Sequence, residues 1–223
     1  CLLHAYFYAS LAQERVLEII ANNISNMNTV GFKSEKITFK LEESESGSDY
    51  YPPVPPENYN VTDDNLLYLR GNEINYVVTS EVAKDFSQGS LIETKNPLDF
   101  TLEGQGFFAV QTKSGVSYTR NGSFVVNQNG ILVDKKGDPV LGQSGVISLK
   151  KAKIEVNKIG EIFQDGNFID RFQVIDFKNK KQLEKIGNNR FYYGGSQEDL
   201  SSLQFPTVRQ GYLESSNVNA VKS

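Results

Sequence analysis

The chain of 223 residues has no tryptophan, and it carries one cysteine, one histidine and one methionine. A single cysteine excludes a disulfide within the chain and any multi-cysteine zinc site. Cys1 is read as a residue near a start, not as the lipid-bearing cysteine of a mature lipoprotein. The one histidine, His4, falls in a helical pattern. Metal sites built on imidazole usually need further His or Cys ligands, so His4 is read as a packed or solvated helix residue. A Ser-His-Asp arrangement would also have to run through it, far in sequence from every strand. Charge of one sign is scarce too: 23 Lys and Arg face 27 Asp and Glu, a net of -4. No basic field exists to collect phosphates, which argues against nucleic-acid binding. No apolar run is long enough to span a bilayer. The first residues also fail as a secretory signal, because Glu14, Arg15 and Glu18 interrupt the apolar positions. Leaving the cytoplasm would then fall to something other than a cleaved signal.

Hydrophobic residues make up 39% of the chain, enough to bury a core in one large domain or two small ones. Residues 2–28 read as a helix. Leu17, Ile20, Ile24 and Met27 recur at alternating spacings of three and four, a narrow apolar stripe. Leu3 and Tyr6 extend it backward, diluted by Ser10 and Gln13. Asn26, Asn28 and Gly31 are helix-stopping residues. A helix with one apolar stripe must pack on its own domain or on another chain.

Residues 42–49 are acidic and polar, and Tyr51–Pro56 holds four of the seven prolines. Proline fixes φ and removes a donor, so residues 31–75 are expected to be an extended linker region. Residues 76–211 read as an antiparallel β domain. Alternation marks Phe107–Val110, Tyr118–Arg120, Phe124–Val126 and Ile131–Val133. Asn121-Gly122, Asn129-Gly130, Lys136-Gly137-Asp138, Asp165-Gly166 and Gly194-Gly195 supply turns. The expected class is mainly β with an N-terminal helix: a sandwich, small barrel or twisted sheet. Residues 212–223 turn polar, and Asn217 or Asn219 could cap a helix starting at Ala220.

Enzyme signatures are weak. Asp99 with Glu103, or Asp134 with Asp138, could be paired carboxylates for glycoside hydrolysis. Carboxylates beside turns more often bind local backbone donors. Gly104-Gln105-Gly106 lacks the helix and Lys-Ser/Thr of a phosphate loop and reads as a sharp turn. Tyr50, Tyr51, Tyr59, Phe107, Phe108, Phe191, Tyr192 and Tyr193 could include a sugar-binding platform, although core filling is the default. A carbohydrate-binding or adhesion module is therefore the alternative to a structural subunit.

Four stretches, in order, carry a resemblance. They are Ile20-Ala-Asn-Asn-Ile-Ser-Asn-Met-Asn-Thr-Val-Gly-Phe-Lys33, Asp85–Gly89 with Thr94–Phe100, Gly104–Phe108 with Tyr118–Phe124, and Gln210–Asn219. Together they resemble flagellar rod and hook proteins. The spellings Asp85-Phe-Ser-Gln-Gly89 and Asn96-Pro-Leu-Asp-Phe100 are most similar to the proximal-rod branch, with the distal-rod branch second. The resemblance implies a structural subunit without enzymatic activity or cofactor, located in the periplasmic part of the basal body. It implies terminal helices that polymerise into part of the drive shaft and export channel. Implied partners are copies of itself, neighbouring rod proteins and the flagellar export apparatus, with no nucleic acid or small-molecule substrate. The family continues past Asn217-Val-Asn219 into a C-terminal helix, whereas this sequence stops at Ser223. Expected segments are thus 1–30 for helical assembly, 31–75 as linker, 76–211 as β domain and 212–223 as the start of a second assembly segment. Assembly contacts are expected at Leu17, Ile20, Ile24 and Met27. The resemblance adds Asn22, Asn23, Asn26 and Asn28 near the helix end, Gly31 and Phe32 at the junction, and Leu213, Asn217, Val218 and Asn219.

Overall fold

A computed structural model describes residues 2–43, 66–71, 74–150 and 153–219, with side chains described at 13–38, 82–150 and 153–219. The chain divides into two compact units. Unit 1 comprises Cys1–Ile24 and Glu35–Asp85, and unit 2 comprises Ser25–Ser34 and Phe86–Ser223.

Unit 1 contains α1 (Leu2–Ser25), which ends three residues before the position that periodicity predicts. It also contains an antiparallel sheet of β1 (Glu35–Glu43), β2 (Leu66–Gly71) and β3 (Ile74–Lys84), with β3 central. The register runs from Glu35 opposite Lys84 to Glu43 opposite Tyr76. Part of the stretch expected as a linker is therefore strand. Lys36-Ile-Thr-Phe-Lys-Leu41 alternates polar with apolar or β-branched residues and suits a pleated ribbon. The acidic and proline-rich run lies outside the described residues. Lys36 Nζ closes on Asp85 Oδ2 at 2.8 Å, linking the start of β1 to the residue after β3.

Unit 2 begins with β4 (Leu91–Glu93), β5 (Phe100–Glu103), β6 (Phe107–Thr112) and β7 (Gly115–Thr119). Short ladders follow in β8 (Val125–Val126), β9 (Leu132–Val133), β10 (Leu141–Gly142) and β11 (Gly145–Val146). A three-strand meander comprises β12 (Ile154–Val156), β13 (Glu161–Gln164) and β14 (Asn167–Arg171). Then come β15 (Val174–Phe177), β16 (Leu183–Lys185), β17 (Arg190–Tyr193), β18 (Leu200–Ser202), β19 (Thr207–Gln210) and β20 (Tyr212–Glu214). The largest sheet has the order β16-β17-β7-β6-β15-β18, and β19 pairs with β5 while β20 pairs with β4. Every described ladder is antiparallel, as expected for short strands joined by tight turns.

The turns form for two different reasons. Asp165 (φ 51°) and Gly166 (φ 78°) link β13 to β14 as a two-residue hairpin, whose handedness matches the strand twist. Gly122 differs from the expected hairpin turn, since its φ is not positive. A Cβ at Gly122 would lie 1.8 Å from the Phe100 carbonyl oxygen. The residue is glycine because two backbones touch there, and Phe100 N–H donates to the Gly122 carbonyl at 3.0 Å.

Two apolar clusters hold unit 2. The larger includes Phe100, Phe108, Phe124, Leu132, Ile147 and Phe172. Phe172 meets Phe100 and Phe108 edge to face, at centroid distances of 5.0 and 5.3 Å. The second contains Phe107, Tyr118, Phe177, Phe191 and Tyr193, with Phe86 packed against it. Adjacent Phe107 and Phe108 point to opposite faces of β6, and each anchors one cluster.

Candidate assembly site

On α1, Ile19 and Asn23 are buried, whereas Leu17 is 65% and Ile24 is 54% exposed. Ile20 and Met27 are half-buried. The covered face therefore runs through Ile19 and Asn23, one step round from the predicted stripe. The stripe keeps large apolar side chains on the surface. Leu3, Tyr6 and His4 lie outside the described side chains.

Asn23 works as a clamp. Its Nδ2 donates to the Glu35 carbonyl at 2.8 Å, and its Oδ1 accepts from the Glu35 N–H at 3.1 Å. The intervening chain is a compact loop with its ends tied together, of the Ω type. Asn26 opens the turn that follows the helix. Its carbonyl accepts from Thr29 N–H at 3.1 Å and its Oδ1 from Thr29 Oγ1 at 3.2 Å. Asn22 and Asn28 are exposed.

The rest of the loop is built into unit 2. Gly31 has φ +68°, and a Cβ there would meet the Asn121 backbone nitrogen at 2.6 Å. Only glycine accepts both the backbone angle and the close approach. Gly31 N–H donates to the Glu214 carbonyl at 2.8 Å, and Asn189 Nδ2 donates to the Val30 carbonyl at 2.8 Å. Phe32 is buried, with the Lys185 ammonium 4.4 Å from its ring centroid. Asn217 grips the same segment from the other end of the chain. Its N–H reaches the Phe32 carbonyl at 3.4 Å, its Oδ1 accepts from Ser34 N–H at 2.7 Å, and its Nδ2 donates to the Ser87 carbonyl at 3.1 Å.

Beneath the loop lies a buried ionic cluster. Glu214, on β20, has a side chain 0% exposed, and Lys33 and Arg120 are 1% and 3% exposed. Lys33 Nζ donates to Glu214 Oε1 at 2.5 Å and to the Ser87 carbonyl at 2.6 Å. Arg120 Nε donates to Glu214 Oε2 at 2.9 Å. Gly89 N–H adds a third donor to the carboxylate, at 3.0 Å to Oε1. The remaining guanidinium nitrogens of Arg120 reach the carbonyls of Gly106 at 2.7 Å and Gly104 at 2.8 Å. Burial lowers the Arg120 pKa. Glu214 opposes this through its charge and its hydrogen bond, with a further contribution from Asp176. Gly89 must be small, because a Cβ there would sit 2.1 Å from the Ser215 carbonyl oxygen.

Sequence reading singled out Gly31, Phe32, Leu213 and Asn217 but not Lys33, Arg120 and Glu214. Each member of the ionic cluster stands inside one of the quoted motifs, and that position was the one available signal. Leu213 is buried, Val218 is half-buried and Asn219 is exposed.

Three of the four candidate carboxylates are engaged in ion pairs, and the buried Asp99 Oδ1 has no hydrogen-bond partner among the described residues. Asp134 and Asp138 both pair with Arg190, and Asp138 Oδ2 lies 2.7 Å from its Nη1. Burial disfavours the charged Arg190, but its hydrogen bonds to the two aspartates, with their charges, outweigh it and the pKa is raised. Glu103 pairs with Arg209 at 2.8 Å. Asp99 is buried beside the β5–β19 ladder, where its carbonyl accepts from Gly211 N–H at 2.7 Å. Phe107, Phe108, Phe191 and Tyr193 are core residues, which leaves Tyr192 as the exposed member of the supposed aromatic platform among the described residues.

Such a molecule is a structural protein: an apolar helix stripe and a β unit that locks both flanking segments into one seat. The comparisons with known proteins agree. The family model for the flagellar hook protein FlgE/F/G D1 domain matches residues 101–164, which hold Arg120 and much of the larger core cluster. The model for the flagella basal body rod protein matches residues 9–33, from α1 through the loop to Lys33. The chain is 30% identical to the flagellar basal-body rod protein FlgF of Caulobacter vibrioides over 210 residues, covering 93% of this chain and 78% of that protein. It is 33% identical to the flagellar basal-body rod protein FlgG of Agrobacterium fabrum over 229 residues, covering 95% and 82%. FlgF of Mesorhizobium japonicum is 28% identical over 222 residues, covering 98% and 83%.

The chain belongs to the flagellar basal-body rod protein family. It is a structural subunit of the flagellar basal body that assembles with itself and with other rod components, and not an enzyme.

Proposed function

We propose that the chain polymerises by burying the α1 stripe of Leu17, Ile20, Ile24 and Met27 against neighbouring subunits, with residues 212–223 as the start of a second assembly segment. In this reading it builds the proximal, periplasmic part of the rod, contributes to the drive shaft and export channel, and arrives through the flagellar export apparatus. The observation that carries the reading is the exposure of Leu17 and Ile24 on a helix whose other face is covered. Removing those two side chains from water would contribute about 2–4 kcal/mol per subunit, since a fully buried Leu or Ile is worth roughly 1.5–3 kcal/mol and these are already partly covered. Repeated along a head-to-tail interface that does not close, such a contribution favours a helical filament. Asn22, Asn28, Val218 and Asn219 lie near the two segments and would flank the contact. Gly31, Phe32, Leu213 and Asn217 would act from within unit 2 by holding the segments in place. The proximal position rests on the spellings Asp85–Gly89 and Asn96–Phe100.

The test is Ile20→Asp or Ile24→Asp in cells. Each variant should abolish rod assembly and motility while the purified chain keeps its near-ultraviolet circular dichroism. Normal rods with either change would overturn the assignment of the stripe.

A further inference from the structure

We infer that Glu214 is a positioning residue that seats the loop 26–34 and the segment 215–219 together and couples the order of one to the order of the other. The inference stands on unit 2 alone and does not require the assembly reading.

The two segments lie side by side and run the same way. Gly31 N–H reaches the Glu214 carbonyl, Asn217 N–H reaches the Phe32 carbonyl, and Ser34 N–H reaches the Asn217 side chain. Residue numbers rise together along both. Three hydrogen bonds alone would hold a pair of short segments only marginally. The buried carboxylate supplies the rest. It belongs to the C-terminal segment, yet it binds Lys33 of the loop across 181 residues and Arg120 across 94. It also binds the Gly89 N–H, which fixes the backbone against which Ser215 packs. Ser87 closes the circuit: its carbonyl takes donors from both Lys33 and Asn217. Each segment is therefore held through groups that the other also needs.

Residue-resolved amide hydrogen exchange on the full chain tests this. Lys33→Met should raise exchange at the Ser215 and Asn217 amides at least tenfold, although neither neighbours Lys33 in sequence. Glu214→Gln should raise exchange at Gly31 and Ser34 by at least as much. As a control, Phe172→Leu, which weakens the core and not the seat, should raise exchange at the core amide of Leu132 while the Ser215 and Asn217 amides change less than threefold. If Glu214→Gln does not fold, Lys33→Met decides the matter alone. Exchange that rises only on the mutated segment would overturn the coupling. Ser215 and Asn217 amides that rise with the core in Phe172→Leu would also overturn it, because they would then report general stability.

Discussion

The cluster of Lys33, Glu214 and Arg120 places two cations around one carboxylate in a site closed to water, and this imbalance predicts unequal costs of substitution. Glu214→Gln keeps the shape of the side chain but leaves two buried positive charges facing a neutral amide. Breaking a buried pair by removing one partner costs about 3–5 kcal/mol, and here the lost partner served two ions. Lys33→Met removes one of the two cations and leaves Arg120 paired with Glu214. Both described acceptors of Lys33 keep another donor: Ser87 the Asn217 amide, and Glu214 Oε1 the Gly89 N–H. The lost charge-assisted hydrogen bonds then set the cost, at about 1.5–3 kcal/mol. Adding Lys33→Met to Glu214→Gln should recover part of the loss by relieving the repulsion. For a unit of this size about 1 kcal/mol corresponds to roughly 2–4 °C in Tm, so Glu214→Gln should melt about 6–20 °C low, with Lys33→Met clearly milder. The assay is thermal and urea unfolding followed by near-ultraviolet circular dichroism, which reports Tyr118 and Tyr193 in a chain without tryptophan. The reasoning fails if Lys33→Met is as damaging as Glu214→Gln, or if the double variant is no more stable than Glu214→Gln alone.

Other expectations follow from single sites. Gly89→Ala should cost about 1–3 kcal/mol in urea unfolding, because the added methyl overlaps the Ser215 carbonyl. Phe172→Ala, at the centre of the larger core cluster, should cost about 3–5 kcal/mol by the same measurement, with a loss near 1 kcal/mol refuting its central place. Hydrogen bonds from Asn157 and then Arg171 hold the Glu161 carboxyl below its ordinary range. A depressed carboxylate contributes stability above its unfolded value and loses it as pH falls through the folded one, so Glu161→Gln should flatten part of the acid limb of the stability curve. Carbon-detected NMR titration of Glu161 would show the depressed midpoint, and Arg171→Met should move it up.

How much of this was legible in the sequence depended on range. The span of α1 follows from a 3.6-residue period, which is local, and the structure keeps it to within three residues. Strands at Phe107 and Ile131 were visible because alternation is local too. The order β16-β17-β7-β6-β15-β18 was not, since it joins segments far apart in the chain. Asn121-Gly122 shows how a local signal misleads: the dipeptide has hairpin spelling, but contact with Phe100 decides its geometry. On the helix, the stripe of Leu17, Ile20 and Ile24 was readable, whereas burial of Ile19 and Asn23 depended on what packs there. Burial of the ionic cluster was invisible for the same reason. A lysine beside a phenylalanine reads as a surface residue until its carboxylate is found 181 positions later.

That separation has a consequence for biosynthesis. At about 5–20 residues per second, roughly 9–36 s elapse between translation of Lys33 and translation of the acid that neutralises it. Throughout that interval the nascent loop lacks this counter-ion, and the pocket destined for it lacks its last wall. The ribosome thus delivers the closing piece of this unit late, and a chain interrupted before residue 214 leaves it open.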